Sequence, residues 1–450
     1  MKTPPDLPIP LPLRIWRGLR DPLGYLAEAE RHGDVVSLRP GHSYAVFHPA
    51  YIKHVLQDNA RNYEKGRKYR AALRPIMGNG IFTSEGDFWL RQRRLAQGAF
   101  RRAHMAIFAE GIRACAHDLI NDWEIKTDRN EAIDLRRDLV IFTLRMTIRN
   151  LFNVEPNLAA VAPAMAEVTA QIRLGAQFLP FHLPQWVMTP ARWKFKAGMR
   201  LIDQFVEEVV AKHKASTNPA EDLVSLLIEA RDEETGEQMS EEQLRDELVT
   251  MLVAGHDTVT DSILWTVTLL AQNRRFLAPL REELMRTGGS NSPTIESLKD
   301  LELMGRVIHE SLRLRPPGWA FARTALHDDE IGGYRIPAGA LVVISPYIMH
   351  RSNRFWDDPL TFDPDRFLPE RMSNRQRFTY FPFGGGQRQC IGAGLAMIEI
   401  PLILGAILQH FDFEIPELAS IVPSPRISLR PKETVWLKLR PKDAAGIRAN

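Results

Sequence analysis

The stretch FGGGQRQCIG, Phe383 to Gly392, decides how the rest of the chain is read. Three glycines lead into an apolar segment, Leu395 to His410, that reads as a helix. Glycines before a helix start suit phosphate binding, but the sequence fails both phosphate patterns. G-x-x-x-x-G-K-[ST] is absent, and G-x-G-x-x-G would need a glycine where Gln389 stands. Cys390 sits where free helix amides, the helix dipole and nearby Arg388 favour a thiolate. That setting suits a nucleophile or a metal ligand. A buried, inert cysteine would not explain the crowding of glycines around it. Glycines permit close backbone approach and positive φ, and a large flat cofactor over the sulfur would call for both.

Composition narrows the class. The 450 residues are 44% hydrophobic and 25% charged, as in a soluble globular protein. The net charge of +3 gives no electrostatic case for nucleic acid. Cys115 and Cys390 are the only cysteines, which excludes a disulfide framework and suits a reducing compartment. The opening MKTPPDLPIPLPLRIW is broken by five prolines and reads as neither signal peptide nor membrane anchor. No segment is expected to offer about 18 uncharged apolar residues, and EIPLILGAILQHF reads as a short buried helix. The expectation is a cytoplasmic protein of bacterial type. A zinc protease is excluded because HESLR has Arg313 where H-E-x-x-H needs its second histidine.

No internal repeat or low-complexity linker divides the chain. DVVSLRPGHSYAVFHP reads as a hairpin turning at Pro40-Gly41. From about Trp89 to Gln272 apolar residues recur at helical spacing. The segment Ser240 to Gln272 is the longest, opening with the Ser-x-x-Gln form of a capping box. Short strands with Gly and Pro turns follow Pro316-Pro317, and RISLRPKETVWLKLRP reads as a closing hairpin. The expected architecture is mainly α with a small β portion (α+β) in one domain over 1–450. The β-rich parts are expected near 34–60, 318–348 and 413–440, and the helical body near 86–316 and 390–411.

The remaining motifs fall into one order. FGGGQRQCIG matches F-x-x-G-x-R-x-C-x-G at Phe383, Gly386, Arg388, Cys390 and Gly392. ESLR supplies E-x-x-R at Glu310 and Arg313, and PDRF supplies Arg366. AGHDT spans Ala254 to Thr258 in the longest helix, and WLRQR pairs Trp89 with Arg93. With these five motifs in this order, the chain resembles the cytochrome P450 family over essentially its whole length.

The resemblance implies haem b, iron protoporphyrin IX, between the long helix and the cysteine loop, with Cys390 as the thiolate ligand of the iron. It implies propionate partners at Trp89, Arg93, Arg323 and Arg388, and an aromatic beside the sulfur at Phe383. Gly386 and Gly392 would let loop and helix approach the porphyrin. Ala254 and Gly255 would leave room for oxygen, with Asp257 and Thr258 handling protons. Val259 stands where many family members carry a second Thr or Ser. Glu310, Arg313 and Arg366 would form a buried structural network. Ile81, Phe82, Met251, Ala254, Trp319 and Phe321 are candidate lining for a pocket that takes a hydrophobic small molecule.

The implied activity is insertion of one O2-derived oxygen atom into a lipid, terpenoid, steroid or secondary metabolite. A peroxide-driven peroxygenase or rearrangement catalyst, and a haem-based sensor, are the alternatives. The chain has no flavin or iron–sulfur motif, so electrons would come from a ferredoxin or flavodoxin with its reductase. The basic stretches RQRRLAQGAFRR and RMSNRQR would form its docking face on a monomer.

Overall fold

The computed structural model describes residues 2–176, 189–216, 222–289 and 293–441. Its longest element is the central helix Glu241–Gln272, 32 residues and about 48 Å long. Ser240 caps it as expected: its Oγ accepts from the Gln243 N–H at 3.2 Å, and the Gln243 side chain accepts from the Ser240 N–H at 2.9 Å. Nearly every side chain from Leu244 to Ala271 is buried, so neighbouring helices cover this one on most sides. Leu135–Phe152 lies along it, and the Thr143 and Thr260 hydroxyls meet between the two at 2.7 Å. Asp134 caps that helix by accepting from the Arg137 N–H at 3.1 Å. Asn153, in the left-handed region at φ 49°, ends it.

The second helix of functional weight, Ala393–His410, packs against Arg102–Asp128 and the central helix. Among the described residues it is the one helix long and apolar enough to cross a membrane. It does not overturn the expectation of no stretch of about 18 uncharged residues, because Glu399 lies within it. Most of this helix is buried inside the protein, which accounts for its composition.

The β portion draws on both ends of the chain. A five-stranded sheet runs in the order Val35–Arg39, Ser43–Val46, Leu341–Ile344, Phe321–Ala325, Tyr63–Lys65. Ser43–Val46 and Leu341–Ile344 are parallel, and the other pairs are antiparallel. Register places Lys65 opposite Arg323. One apolar core lies among the helices and a second around this sheet.

Three local expectations change. Residues 49–58, inside the expected β-rich 34–60, form a short helix and a π-helical turn, Pro49–Lys53 and His54–Asp58. The Pro-rich N-terminus contains a helix, Leu11–Arg20, because Pro12 falls in its first turn, where no amide donor is needed. The C-terminal hairpin does not form. Leu429–Pro431 pairs with Pro423–Pro425, while Trp436–Pro441 is taken up by Phe411–Glu414 and Ile133–Asp134. Distant strands compete for the edge that a local hairpin would have used.

Candidate functional site around Cys390

The cysteine loop closes on itself. The Cys390 N–H donates to the Phe383 carbonyl at 3.0 Å, so the two ends of the motif meet. Two of the glycines between them, Gly385 and Gly386, are required by surrounding protein. A Cβ on Gly385 would stand 2.3 Å from the Phe378 ring, and one on Gly386 would stand 1.8 Å from the Leu56 carbonyl oxygen. Gly386 also has φ +68°. This loop therefore seats against the π-helical turn, a reason the sequence did not reveal. Gly392 and Gly394 differ: apart from their chain neighbours and own helix, nothing lies within 4 Å of where their Cβ atoms would stand.

Cys390 is reachable by solvent although protein packs closely around it. Burial pushes its thiol up, while the Gly392 N–H, Arg93 and Lys65 pull it down. The helix-start amide expected to face the sulfur is thus present, but burial outweighs it in the free protein. Cys115 is a contrast. It is buried among apolar side chains near Arg149, its thiol raised mainly by burial.

Four cations converge near the loop. Arg388 lies over the buried Trp89 ring at 3.6 Å, donates to the Ser84 carbonyl at 2.9 Å and pairs with Glu85. Arg93 donates to the Gln389 carbonyl at 2.9 Å. Arg323 sits across the strand from Lys65, whose Nζ donates to the Phe82 carbonyl at 2.6 Å. Burial pulls Arg323 and Arg388 down to about 10 and lowers Lys65 and Arg93 as well. Arg388, Arg323 and Arg93 each depress Lys65 further, and Glu85 is the carboxylate that opposes this. With Glu85 as the one carboxylate among four cations, the remaining positive charge calls for an anionic partner. A flat dianionic group above Cys390, with open space at Gly392 and Gly394, fits these residues. Lys65 was missed by sequence reading because nothing local marks it. Strand pairing with Arg323 brings it in.

The central helix presents one open face. Ala254 and Thr258 are exposed and Gly255 half-buried within an otherwise covered stretch, while Asp257 points elsewhere. The Thr258 hydroxyl donates to the Ala254 carbonyl at 2.9 Å. A Cβ on Gly255 would stand 3.3 Å from the Thr147 methyl, so this glycine also lets Leu135–Phe152 pack close. Asp257 accepts from Arg136 at 2.9 Å. Burial alone would raise its pKa, but the charges of His256 and Arg136 outweigh burial and hold it low. Arg136 also reaches Asp261 at 3.3 Å, and Ser428 donates to Asp261 at 2.5 Å. A cleft lined by Arg136, His256, Asp257 and Ser428 belongs to this other side of the helix and includes neither Cys390 nor Thr258.

Of the candidate pocket residues, Ile81 and Met251 are buried in packing, whereas Phe82, Ala254, Trp319 and Phe321 keep accessible surface. Tyr69 joins them. It is 37% exposed although it lies deep in the protein, where burial pushes its phenol up to about 12. Its ring meets Phe82 edge-on at 6.1 Å.

Behind the loop, Arg313 and Glu310 are fully buried and joined by two 2.6 Å hydrogen bonds. Arg366 approaches Glu310 at 3.5 Å. The basic stretches are less free than expected. Arg91 pairs with Glu237 at 3.2 Å, Arg94 with Asp232 and Glu234 at 2.9 Å, and Arg371 with Asp363 at 3.2 Å.

A reachable cysteine at a helix start, open glycines beside it and a cluster of buried and half-buried cations define a protein that holds an iron porphyrin through sulfur. The cytochrome P450 family model matches residues 21–438, and the chain belongs to that family. It is 35% identical to cyclooctatin synthase of Streptomyces melanosporofaciens, over 91% of this chain and 89% of that one. It is 30% identical to pentalenene oxygenase of Streptomyces avermitilis, over 92% of each. With cyclooctat-9-en-7-ol 5-monooxygenase of Streptomyces melanosporofaciens the identity is 29%, over 89% of this chain and 86% of that one. The protein is a haem-dependent monooxygenase acting on a hydrophobic small molecule.

Proposed function

We propose that Cys390 binds the iron of haem b and that the enzyme uses O2 and externally supplied electrons to oxygenate a cyclic terpenoid. The names of the three relatives support a terpenoid. The observation that carries the reading is the solvent-reachable Cys390 with four cations near it that Glu85 only partly balances. Haem bound there supplies oxygen activation. The chain's own residues do the rest. Lys65, Arg93, Arg323 and Arg388 hold the two propionates, and Trp89 supports Arg388 through its ring face. Phe383 closes the loop beside the sulfur, and Gly392 leaves the porphyrin its space. Phe82, Trp319, Phe321 and Ala254 offer an apolar wall to the substrate, and Tyr69 adds a neutral phenol to it.

Thr258 has a particular chemical consequence. A hydroxyl has one hydrogen to donate and two lone pairs, and here the hydrogen is given to Ala254. Thr258 is therefore set to accept a hydrogen bond on the open face, and can donate only by releasing Ala254. Asp257, ionised and tied to Arg136, can carry a proton only when that pair opens. Thr258→Ala should lower product formed per electron pair by about tenfold or more, less than the roughly 10²–10⁴-fold that a directly acting general acid contributes, because Thr258 accepts rather than donates here. The matching rise is in peroxide released. Thr258→Ser should restore coupling, and unchanged coupling in the alanine variant would refute this role.

Electron supply by a ferredoxin or flavodoxin with its reductase, to a monomer in a reducing cytoplasm, is supported by the free cysteines and the remaining basic surface. Arg377 is exposed and in contact with Phe378. Because several other arginines are already paired, the rate of reduction should fall with salt by less than a fully open cationic face would give. Stopped-flow reduction across ionic strength measures this, and no dependence at all would contradict the docking face. The strands drawn from both ends into shared sheets support one domain over 1–450. Turnover of cyclic terpenes with O2 and a reduced ferredoxin tests the whole reading, and turnover with peroxide alone would overturn its oxygen half.

A further inference from the structure

The helix Leu11–Arg20 is mounted with its apolar side outward. At 100° per residue, Leu11, Ile15, Trp16 and Leu19 share one side, and they are 39%, 49%, 51% and 44% exposed. The side turned to the protein is polar. Arg14 is buried there, donating to the Ile9 and Leu7 carbonyls at 2.6 and 2.5 Å and pairing with Asp6 at 3.3 Å. Arg17 pairs with Glu28 at 2.7 Å, and Gly18 lies against the Tyr25 ring. Apolar burial normally drives such a helix to turn the other way. Here arginine hydrogen bonds hold it reversed. The helix also lies outside residues 21–438, the part matched by the family model.

We propose that this helix is an interfacial foot that seats the enzyme on an anionic lipid surface. Its ten residues make a ridge only about 15 Å long. That is too small for the roughly 800 Å² per partner of a stable protein interface, and too short to cross a bilayer. A convex ridge needs no complementary groove to enter a lipid headgroup layer. The helix carries no acidic residue, and of its three arginines Arg14 and Arg17 are held by protein partners while Arg20 stays exposed. Arg20 lies over the Trp16 ring at 5.0 Å, at the edge of the apolar side. An aliphatic and tryptophan face flanked by arginine is the composition that binds acidic membranes in plane. The enzyme would then stand on the phase in which an apolar substrate dissolves.

Vesicle co-sedimentation of the haem-loaded full chain tests this, with phosphatidylcholine alone and with phosphatidylcholine plus phosphatidylglycerol. Binding is expected to the mixed vesicles and to weaken with salt. Ile15→Glu with Leu19→Glu should reduce partition by about tenfold or more, with an unchanged thermal midpoint because both positions are exposed. Brominated lipid should quench tryptophan emission in the native chain and quench it less in Trp16→Phe, a measurement independent of the double variant. A native chain that stays in the supernatant, or equal binding by the double variant, would overturn the proposal. So would a concentration-dependent dimer that the double variant loses, which would assign the face to a second copy.

Discussion

Cys390→Ala should abolish the strongly red-shifted Soret band of the reduced carbon monoxide complex and, with it, all oxygenation of substrate. The red shift requires sulfur on the iron, and the other cysteine cannot substitute. Cys115 is buried in the helical core beside Arg149, so Cys115→Ala should retain the full band and serves as the control. The variant at 390 removes a solvent-reachable side chain, and the Cys390 N–H to Phe383 carbonyl bond is made by backbone. The loop should therefore keep its shape, and any haem still bound should show an ordinary Soret position. Persistence of the red-shifted band in Cys390→Ala would refute the assignment of the iron ligand.

Arg313→Ala is expected to cost about 3–5 kcal/mol, because it leaves the fully buried Glu310 without its main partner. That is a large part of the roughly 5–15 kcal/mol that holds a typical domain folded. The arginine does more than neutralise charge. Beyond Glu310 it donates to the His350 and Pro359 carbonyls, both at 2.7 Å, and to the Thr361 carbonyl at 3.2 Å. It therefore ties Glu302–Leu314 to the segment that leads toward the cysteine loop. His350 continues the connection, accepting from the Phe381 N–H at 2.9 Å, two residues before the motif. Lysine cannot reproduce this fork, so Arg313→Lys should fall nearer to alanine than to the native protein. Thermal denaturation and haem content measure both variants. Native stability and full haem content in Arg313→Ala would show that the network is dispensable.

Much of the site was legible because its determinants are local. The spacing within FGGGQRQCIG, the capping box at Ser240 and the three-residue step from Glu310 to Arg313 are set by neighbours along the chain. Backbone geometry converts such spacings directly into loops, helix starts and shared helix faces. By itself the sequence determined the family, the iron-ligand candidate and the mainly helical architecture.

The tertiary structure decided what depends on distant partners. Lys65 joins the cationic cluster only through pairing of Tyr63–Lys65 with Phe321–Ala325. Gly386 is required by the Leu56 carbonyl, some 330 residues earlier. The basic stretch after Trp89 is largely neutralised by acids at 232–237 that no local pattern links to it. The final strand abandons its nearest neighbour for Phe411–Glu414 because a sheet edge accepts whichever strand reaches it in register. Leu11–Arg20 reads from sequence as a proline-broken tail, yet its outward apolar face follows from where Arg14 and Arg17 find their acceptors. Local spacing fixes which faces a segment has, and only long-range packing decides what each face meets.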